Sequence, residues 1–401
     1  TERPFFFEQK GNYVFVGIRQ AGKSYLLYQR IQQLLREEHN INEIVYINFD
    51  DERLRQMTAD DLDLILQAYH SLFDLRPLLF FDEIQNIEGW EHFARRLANQ
   101  KYNIYITGSN AKMLSREIAT TLGGRFWNKD VYPYSFAEYL NARNIILSKN
   151  WMYGKQAAEV SKAFNDYFLY GGFPELTDVI AKRVWLNDIY SKIFFSDLIV
   201  RNKVRNEEAL GLLVRRLAEN VKQPVSYTRL ANLISSIGIK ISKATVIEFI
   251  RYLKESCLIF PIENYAAKFA ERNSNMKHYF IDNGLLSIFL LDGNTSLLEN
   301  IVAIHLYKRY GAQLHFYNQN IEVDFIIPEA KTAIQVSYSL MDETTCRREV
   351  EGLIKLNRVF PMDNMCIITR DEERIITHES GVSIHVIPVW KWLLEEEPLR
   401  T

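Results

Sequence analysis

The N-terminal part of the chain alternates short apolar runs with longer amphipathic segments. Four apolar runs predict β-strands over residues 13–17, 43–50, 77–83 and 102–109. Three segments with apolar residues at helical spacing predict helices over residues 24–38, 60–73 and 90–99. Continuous apolar strands that alternate with helices are typical of a parallel sheet buried on both faces. The pattern therefore predicts an α/β domain whose ligands bind at the carboxyl ends of the strands.

The middle of the chain changes to a run of short helices that begins at Glu207. Two amphipathic helices, a turn, a third helix and a trailing apolar strand favour a winged helix-turn-helix. The third helix carries Lys243, Arg251 and Lys254, and such groups bind phosphates with a strong salt dependence and little sequence preference. Winged helices also bind proteins or act as spacers, so DNA binding is one of three alternatives for this segment.

The composition is that of a globular protein, with 47% hydrophobic residues, 24% charged residues and a formal net charge of -2. No window approaches the roughly eighteen apolar residues of a transmembrane helix, and the first residues lack a signal-peptide layout. Cys257, Cys346 and Cys366 form neither a disulfide framework nor a zinc-type CxxC pair. We therefore expect a soluble, cytoplasmic protein in a reducing compartment.

Charge is distributed unevenly along the chain. Between residues 182 and 255, basic residues outnumber acidic residues two to one, so the rest of the chain carries an acidic surplus. A basic segment of this kind indicates a surface that faces a polyanion, and a solvated set of helices is the alternative reading.

The stretch "GIRQAGKS", Gly17 to Ser24, lies between the first predicted strand and the first predicted helix. Its spacing is that of a phosphate-binding P-loop, in which backbone N–H groups at a helix N-terminus surround phosphate oxygens. Gly17 and Gly22 allow close backbone approach, Lys23 reaches the β- and γ-phosphates, and Ser24 ligates Mg²⁺. The neighbouring residues predicted to line the nucleotide are Arg19, Gln20, Ala21 and Tyr25.

The third predicted strand ends in Asp82 and Glu83, which supply the second half of this site. A carboxylate at the end of a buried strand can hold the Mg²⁺ shell, and its neighbour can accept a proton from the attacking water. We therefore assign Asp82 to the metal and Glu83 to the base. On the next strand, Ser109 is the first choice for contacting the γ-phosphate, with Thr107 and Asn110 as alternatives.

A GTPase would need a guanine-reading NKxD stretch, and a small-molecule kinase would need an acceptor-binding lid. Neither stretch is present in the sequence. The predicted cofactors are therefore ATP and Mg²⁺.

Several longer motifs make the chain resemble the bacterial and archaeal AAA+ ATPases that carry a C-terminal domain of unknown function, near the STAND and archaeal-type ATPases. The motifs are "GIRQAGKS", "FFDEIQNIEGWEHFARRL", "ITGSNAKML", "YPYSFAEYL", "YGGFPEL" and "NIEVDFII". The resemblance implies a ring-type homo-oligomer, a hexamer or heptamer, in which Arg125 acts as an arginine finger on a neighbouring subunit. It also implies that Gly172 and Pro174 belong to a lid motif near the adenine.

The resemblance further implies four domains: an AAA+ core with a parallel sheet (1–140), a helical lid (141–205), a winged helix (206–265) and a C-terminal α/β domain similar to PD-(D/E)xK nucleases (266–401). A nuclease of that fold needs a strand acid followed by Glu-x-Lys. The chain offers Glu299 and Asp324, but Gln335 and Ser337 stand where the Glu and Lys are expected. We therefore expect a C-terminal domain that does not cleave, with an active nuclease that uses a migrated catalytic residue as the alternative.

Together these observations predict an oligomeric, Mg²⁺-dependent AAA+ ATPase that engages DNA and does not contact membranes. The rival function is a STAND-type switch, in which slow hydrolysis controls assembly and the tail recruits a protein partner.

Overall fold

The computed structural model of the chain describes residues 2–8, 10–114, 116–152, 154–272 and 274–395. The chain forms two compact units. The first contains Thr1–Pro133 and Glu255–Cys257, and the second contains Tyr134–Lys254 and Leu258–Thr401. In the part of the chain that the structure describes, no helix combines the length and apolarity that a membrane span requires.

The first unit is built on a five-stranded parallel sheet with the strand order β2-β3-β4-β1-β5. Its strands are β1 (Tyr13–Val16), β2 (Ile44–Asn48), β3 (Leu78–Asp82), β4 (Asn103–Gly108) and β5 (Trp127–Asp130). Its helices are α1 (Lys23–Arg36), α2 (Asp63–Leu72), α3 (Trp90–Asn99) and α4 (Arg116–Leu122). The predicted α/β fold with a parallel sheet is confirmed for this unit.

Both faces of this sheet are buried, as the continuous apolar strands predict. Alternate residues of a strand point to opposite faces, so Val14 and Val16 join the core cluster that contains Trp90 of α3. On the other face, the rings of Phe80 and Tyr105 stack with their centroids 4.6 Å apart. Stacked aromatic pairs add about 0.5–1.5 kcal/mol to the effect of burial alone.

Two details of this unit differ from the sequence-based prediction. The helix predicted over residues 60–73 is two elements, a 3-10 turn over Ala59–Leu62 and then α2, because Thr58 and Asp61 form a capping box that starts a separate turn. Strand β5 has no apolar pattern, since its four residues lie at the exposed edge of the sheet. Hydrophobic periodicity does not detect such a strand.

The second unit opens with helices. They are α5 (Phe136–Ala142), α6 (Lys155–Tyr170) and α7 (Lys182–Lys192), the last continuing as a π-helix over Ile193–Val200. The next elements are α8 (Glu207–Glu219), β6 (Val225–Ser226), α9 (Tyr227–Ser235), α10 (Lys243–Glu255), β7 (Ile259–Asn264), α11 (Phe269–Arg272), β8 (Asn275–Phe280) and α12 (Asn283–Ser287). The short helices predicted from Glu207 onward are thus present.

The tail of the second unit is an α/β arrangement. Its elements are α13 (Asn294–Tyr310), β9 (His315–Asn318), β10 (Glu322–Ile327), β11 (Thr332–Val336), α14 (Glu343–Val359), β12 (Asn364–Thr369), β13 (Arg374–Thr377), β14 (Ser383–Pro388) and α15 (Val389–Glu395). Its strands join β6, β7 and β8 in one mixed sheet of nine strands, in the order β13-β14-β12-β11-β10-β9-β7-β8-β6.

This nine-stranded sheet runs through the boundary expected between the winged helix and the C-terminal domain. Strands β7 and β9 pair in parallel. The Asn264 side chain joins them, because its Nδ2 donates to Asn318 O at 2.6 Å and its Oδ1 accepts from Asn318 N at 3.0 Å. The two segments therefore share one sheet, and the four-domain division stays a prediction.

Candidate functional site

The loop after β1 has the backbone that a phosphate cradle needs. A Cβ atom on Gly17 would lie 1.9 Å from the carbonyl oxygen of Val131, so no other residue fits there. Gly22 has a φ of 93° and stands directly before α1. Because Gly22 has no side chain to cap the helix, the first-turn amides of α1 are left for another acceptor. Their partial positive charge favours a phosphate group.

Lys23 connects this loop to the end of β3. The side chain is almost fully buried, and its Nζ donates to Ile18 O at 3.2 Å and lies 3.4 Å from Glu83 Oε1. In the parallel sheet, β1 and β3 both pair with β4, so the carboxyl ends of both strands lie at the same end of the sheet. The loop around Lys23 and the acids at the end of β3 therefore converge on one place.

Asp82 is held by hydroxyl groups from both neighbouring strands. Tyr46 on β2 donates its hydroxyl to Asp82 Oδ2 at 2.7 Å, and Thr107 on β4 donates to Asp82 Oδ1. The Asp82 residue is only 2% exposed. The sequence did not single out Tyr46, because on an apolar strand a tyrosine is indistinguishable from a core residue until the strand order is known.

Glu83 adopts a left-handed backbone with φ 53°, a conformation that is uncommon outside glycine and concentrates at functional sites. Its amide donates to Thr107 Oγ1 at 3.0 Å, and its Oε2 accepts from Gln85 Nε2 at 2.5 Å. Burial raises the pKa of Glu83, but the charge of Lys23 and hydrogen bonds from Gln85 and Ser109 outweigh it and hold that pKa below its usual value. Glu83 is therefore ionised at neutral pH and able to accept a proton.

The three polar residues predicted at the end of β4 have different surroundings. Thr107 is fully buried and bonds to Asp82 and Glu83, so it orients the acidic pair. Ser109 is 2% exposed, and its Oγ lies 3.4 Å from Gln85 Nε2 beside Glu83. Asn110 caps its own turn by accepting from Lys112 N at 2.8 Å. Ser109 and Thr107 thus both lie at the site, and which one senses phosphate stays a prediction.

The other predicted loop residues lie around the same turn. Arg19 is close enough to Glu83 for its charge to help lower the pKa of that carboxyl group. Gln20 has a φ of 61°, and the amide of Ala21 donates to Ile18 O at 3.2 Å, so the loop folds back on itself. Tyr25, on the first turn of α1, is 73% exposed.

The donor set of this place suits Mg²⁺. Ser24 supplies a hydroxyl and Asp82 a carboxylate, and Mg²⁺ prefers oxygen ligands. Within the described ranges no group of three or more His, Cys, Asp or Glu residues is arranged to hold a metal ion. In a Mg²⁺ site of the P-loop type, one or two protein groups act together with water and substrate phosphates, and the assignment of Ser24 and Asp82 to the metal stays a prediction.

Arg125 lies at the amino-terminal end of the parallel strands, whereas the loop around Lys23 follows the carboxyl end of β1. It precedes β5 as Asn12 precedes β1, and Asn12 Nδ2 donates to Arg125 O at 3.2 Å. Its guanidinium is exposed and donates to Gly123 O at 3.0 Å. Within one chain, therefore, the fold does not bring Arg125 to the loop around Lys23.

Gly172 and Pro174 belong to the second unit, where they form a tight turn. The amide of Gly172 donates to Asp282 Oδ2 at 2.8 Å, and its carbonyl accepts from Tyr134 N at 2.7 Å. A Cβ atom on Gly172 would lie 2.2 Å from the carbonyl oxygen of Tyr134. Pro174 starts a 3-10 turn over Pro174–Thr177. These contacts require glycine for packing, and the expected position near adenine stays a prediction.

The second unit contains a polar cavity of about 680 Å³ whose lining includes Glu299, Asp324, Gln335 and Ser337. Lys277 of β8, which no local sequence pattern indicated, is buried beside two of these lining residues. Lys277 Nζ lies 3.1 Å from Glu299 Oε1 and 3.3 Å from Asp324 Oδ1. Burial lowers the pKa of Lys277, but the two carboxylates outweigh it and raise that pKa. The ammonium group therefore stays charged between the two acids.

Gln335 and Ser337 are used in bonds within the protein. Gln335 Oε1 accepts from Asp324 N at 2.9 Å, and its Nε2 donates to Glu322 O at 3.1 Å. Ser337 Oγ donates to Ser339 O at 3.0 Å. The positive charge beside Glu299 and Asp324 comes from Lys277, on another strand.

Two protein families match separate segments of the chain. Residues 9–140 match the AAA domain, and residues 161–296 match a domain of unknown function, DUF8612. The uncharacterized protein MJ1544 of Methanocaldococcus jannaschii is 34% identical over 395 residues, covering 95% of this chain and 88% of that protein. An uncharacterized protein of Haemophilus influenzae is 30% identical over 393 residues, covering 95% of this chain and 94% of the relative.

Solved structures of similar fold include two archaeal proteins. The Walker-type ATPase PABY2304 of Pyrococcus abyssi has a TM-score of 0.43 at 14% identity, over 70% of this chain and 91% of that chain. The ORC1 protein of Aeropyrum pernix, solved in complex with DNA, has a TM-score of 0.31 at 13% identity, over 70% of this chain and 86% of that chain.

Proposed function

Because the chain belongs to the family of P-loop AAA+ ATPases that carry a C-terminal domain of unknown function, we propose that it binds and hydrolyses ATP with Mg²⁺ as a homo-oligomer. The observation that carries this proposal is the 3.4 Å approach of Lys23 Nζ to Glu83 Oε1. It joins the phosphate loop to the acidic end of β3.

The loop residues hold the nucleotide. The first-turn amides of α1 and the Lys23 ammonium bind the β- and γ-phosphates, and Ser24 and Asp82 hold Mg²⁺. The chemistry that Mg²⁺ supplies in such a site is neutralisation of charge on the phosphate oxygens.

Glu83 acts as the base. With no nucleotide, its two carboxylate oxygens face Lys23 and Gln85. The γ-phosphate draws the Lys23 ammonium toward itself, which leaves Glu83 Oε1 available to accept a proton from the attacking water. Ser109 beside Glu83 contacts the γ-phosphate or orients that water, and Thr107 keeps Asp82 and Glu83 in place.

Arg125 acts on a neighbouring subunit. Since Arg125 lies at the amino-terminal end of the strands and Lys23 at their carboxyl end, its exposed guanidinium can complete only the site of another copy. A ring, a hexamer or heptamer, places every Arg125 against a neighbour's nucleotide.

The middle segment is proposed to bind DNA as a winged helix. The order α8, β6, α9, α10, β7, β8 supports this fold, and Lys243, Arg251 and Lys254 are exposed on α10. Such cations bind the phosphate backbone with release of counterions, so the affinity falls steeply with salt.

The tail is proposed to be a nuclease-like domain that does not cleave. A divalent ion bound by Glu299 and Asp324 would have to displace the Lys277 ammonium from both carboxylates. Gln335, at the position of the expected glutamate, is engaged by Asp324 N and Glu322 O. An assay of DNA cleavage with Mg²⁺ and with Mn²⁺ tests this proposal, and specific cleavage that disappears in Lys277→Met would contradict it.

One experiment separates the DNA-coupled ATPase from the switch with a protein partner. Steady-state ATP hydrolysis is measured with branched, duplex and single-stranded DNA over a series of salt concentrations. The proposed function predicts Mg²⁺-dependent turnover that DNA stimulates and salt suppresses. Turnover that no DNA changes would favour the switch, and absence of both ATP binding and turnover would overturn the ATPase itself.

A further inference from the structure

The carboxylate of Asp82 is fixed from two sides before any ligand arrives. Strands β2 and β4 flank β3, and each contributes one hydroxyl, from Tyr46 to Oδ2 and from Thr107 to Oδ1. A carboxylate oxygen accepts more than one hydrogen bond. Each oxygen of Asp82 therefore keeps capacity for a further partner while its direction is already set.

The Tyr46 hydroxyl has a second partner, and that partner lies on the helix that follows the phosphate loop. Tyr28 of α1 has its hydroxyl 3.0 Å from the Tyr46 hydroxyl, and the two ring centroids are 5.4 Å apart. Helix α1 begins at Lys23, so Tyr28 lies about one turn beyond Ser24 on the same rigid element. A chain of two hydroxyls thus links α1 to Asp82.

The Tyr46 hydroxyl donates a hydrogen bond to Asp82 Oδ2 at 2.7 Å. A hydrogen bond to a carboxylate is of the stronger, charge-assisted kind, so it fixes the direction of that oxygen.

We propose that Tyr46, together with Tyr28, is a positioning residue that sets the distance between Ser24 and Asp82 and thereby the affinity of the site for its divalent cation. This inference rests on the proposed function of Ser24 and Asp82 as the two protein groups at Mg²⁺. Mg²⁺ demands near-ideal octahedral geometry, so a small displacement of one oxygen weakens binding. Partners that orient metal ligands change metal affinity by about 10- to 100-fold when removed.

The test measures metal binding apart from turnover. A fluorescent, non-hydrolysable ATP analogue is titrated in EDTA and over a Mg²⁺ series, and bound Mn²⁺ is measured by electron paramagnetic resonance. The variants are Tyr46→Phe and Tyr28→Phe. The control is Tyr69→Phe, which removes a hydroxyl that donates to Asn42 O at 2.8 Å in the same unit.

For Tyr46→Phe we expect unchanged nucleotide affinity in EDTA and a metal concentration for half-saturation about tenfold higher than wild type. Tyr28→Phe removes a partly exposed hydroxyl but leaves the Tyr46 hydroxyl that donates to Asp82. It should therefore raise the metal concentration for half-saturation by a smaller factor, about threefold. Tyr69→Phe should behave as wild type.

The measurements distinguish failure of the positioning role of Tyr46 from failure of the proposed function. An unchanged metal requirement in Tyr46→Phe, or equal losses of nucleotide affinity with and without metal, would overturn the positioning role. If wild type bound neither the analogue nor Mn²⁺, the proposed function itself would fail, and that result is seen before any variant is made.

Discussion

The Lys277 ammonium lies between two carboxylates of the second unit, 3.1 Å from Glu299 and 3.3 Å from Asp324. Glu299 also accepts a hydrogen bond from Tyr279 at 2.7 Å. Burial raises the pKa of Glu299 to about 7, even with Lys277 opposing that rise. The three charges therefore depend on one another, and removal of the cation leaves two acids without compensation.

Lys277→Met is expected to destabilise the protein by about 3–5 kcal/mol at pH 7.5, the usual cost of a buried charge left unpaired. Because the buried Glu299, whose pKa is already raised, can then take up a proton, part of the loss should be recovered at pH 5.5. Urea unfolding at both pH values measures this effect.

The matched control is Lys331→Met, since Lys331 is 60% exposed and lies 3.5 Å from an exposed Asp363. Its effect should stay within about 0.5 kcal/mol. Equal effects of the two substitutions would show that Lys277 does not balance the acids.

His278 gives the second unit a sensitivity to acid. Burial, together with the nearby charge of Lys254, lowers the pKa of His278 to about 4, so the native state holds the ring neutral. The unfolded chain binds this proton near pH 6.5. Between those values the unfolded state carries more protons, so the contribution to stability is present above pH 6.5 and is lost as the pH falls.

His278→Leu should therefore reduce the loss of stability between pH 7.5 and pH 4.5 by about 2–3 kcal/mol, since leucine takes up no proton. Chemical unfolding at the two pH values provides the measurement. His385→Leu, at an exposed position of β14, is the control for the loss of a histidine side chain. An unaltered pH profile in His278→Leu would contradict the assignment of a neutral, buried ring.

Gly172→Ala and Gly211→Ala should have opposite effects on stability. A Cβ atom at Gly172 meets the carbonyl of Tyr134 at 2.2 Å, whereas one at Gly211 of α8 meets only Phe194, at 3.7 Å. We expect Gly172→Ala to lower the thermal midpoint by several degrees. Gly211→Ala should raise it, because alanine favours a helix interior by about 1 kcal/mol. Tolerance of Gly172→Ala would show that the turn does not require this close packing.

Arg125 is tested by mixing two inactive variants. Arg125→Ala keeps an intact phosphate loop, and Lys23→Ala keeps an intact finger. If Arg125 acts in trans, mixed oligomers contain sites that combine the loop of one variant with the finger of the other, and ATP hydrolysis partly returns. ATPase measurements over a range of mixing ratios detect this. Full activity of Arg125→Ala alone, or no recovery at any ratio, would contradict the role.

Local features of the chain named Lys23 and Glu83, whose side chains the fold brings within 3.4 Å of each other. Gly17 to Ser24 and the pair Asp82–Glu83 stand where a strand ends, and alternation of strands and helices places strand ends at one edge of a sheet. Spacing within a few residues was therefore enough to name them, and the parallel sheet confirmed the fold.

Residues that depend on strand order could not be predicted in this way. Tyr46 reaches Asp82 because β2 flanks β3, and Lys277 reaches Glu299 and Asp324 across elements distant in the chain. No local pattern encodes such pairings. Strand β5 was missed for a related reason, since edge position and not hydrophobicity defines it.

We propose that Lys23 and Glu83 serve one bound ATP, and single-turnover hydrolysis by Glu83→Gln at saturating Mg²⁺-ATP is the sharpest test of this arrangement. We expect this variant to bind ATP as wild type does but to hydrolyse it at least about 100-fold more slowly. Lys23→Ala should lose ATP binding, and Glu88→Gln, at an exposed position, should match wild type. Hydrolysis by Glu83→Gln at the wild-type rate would contradict the account.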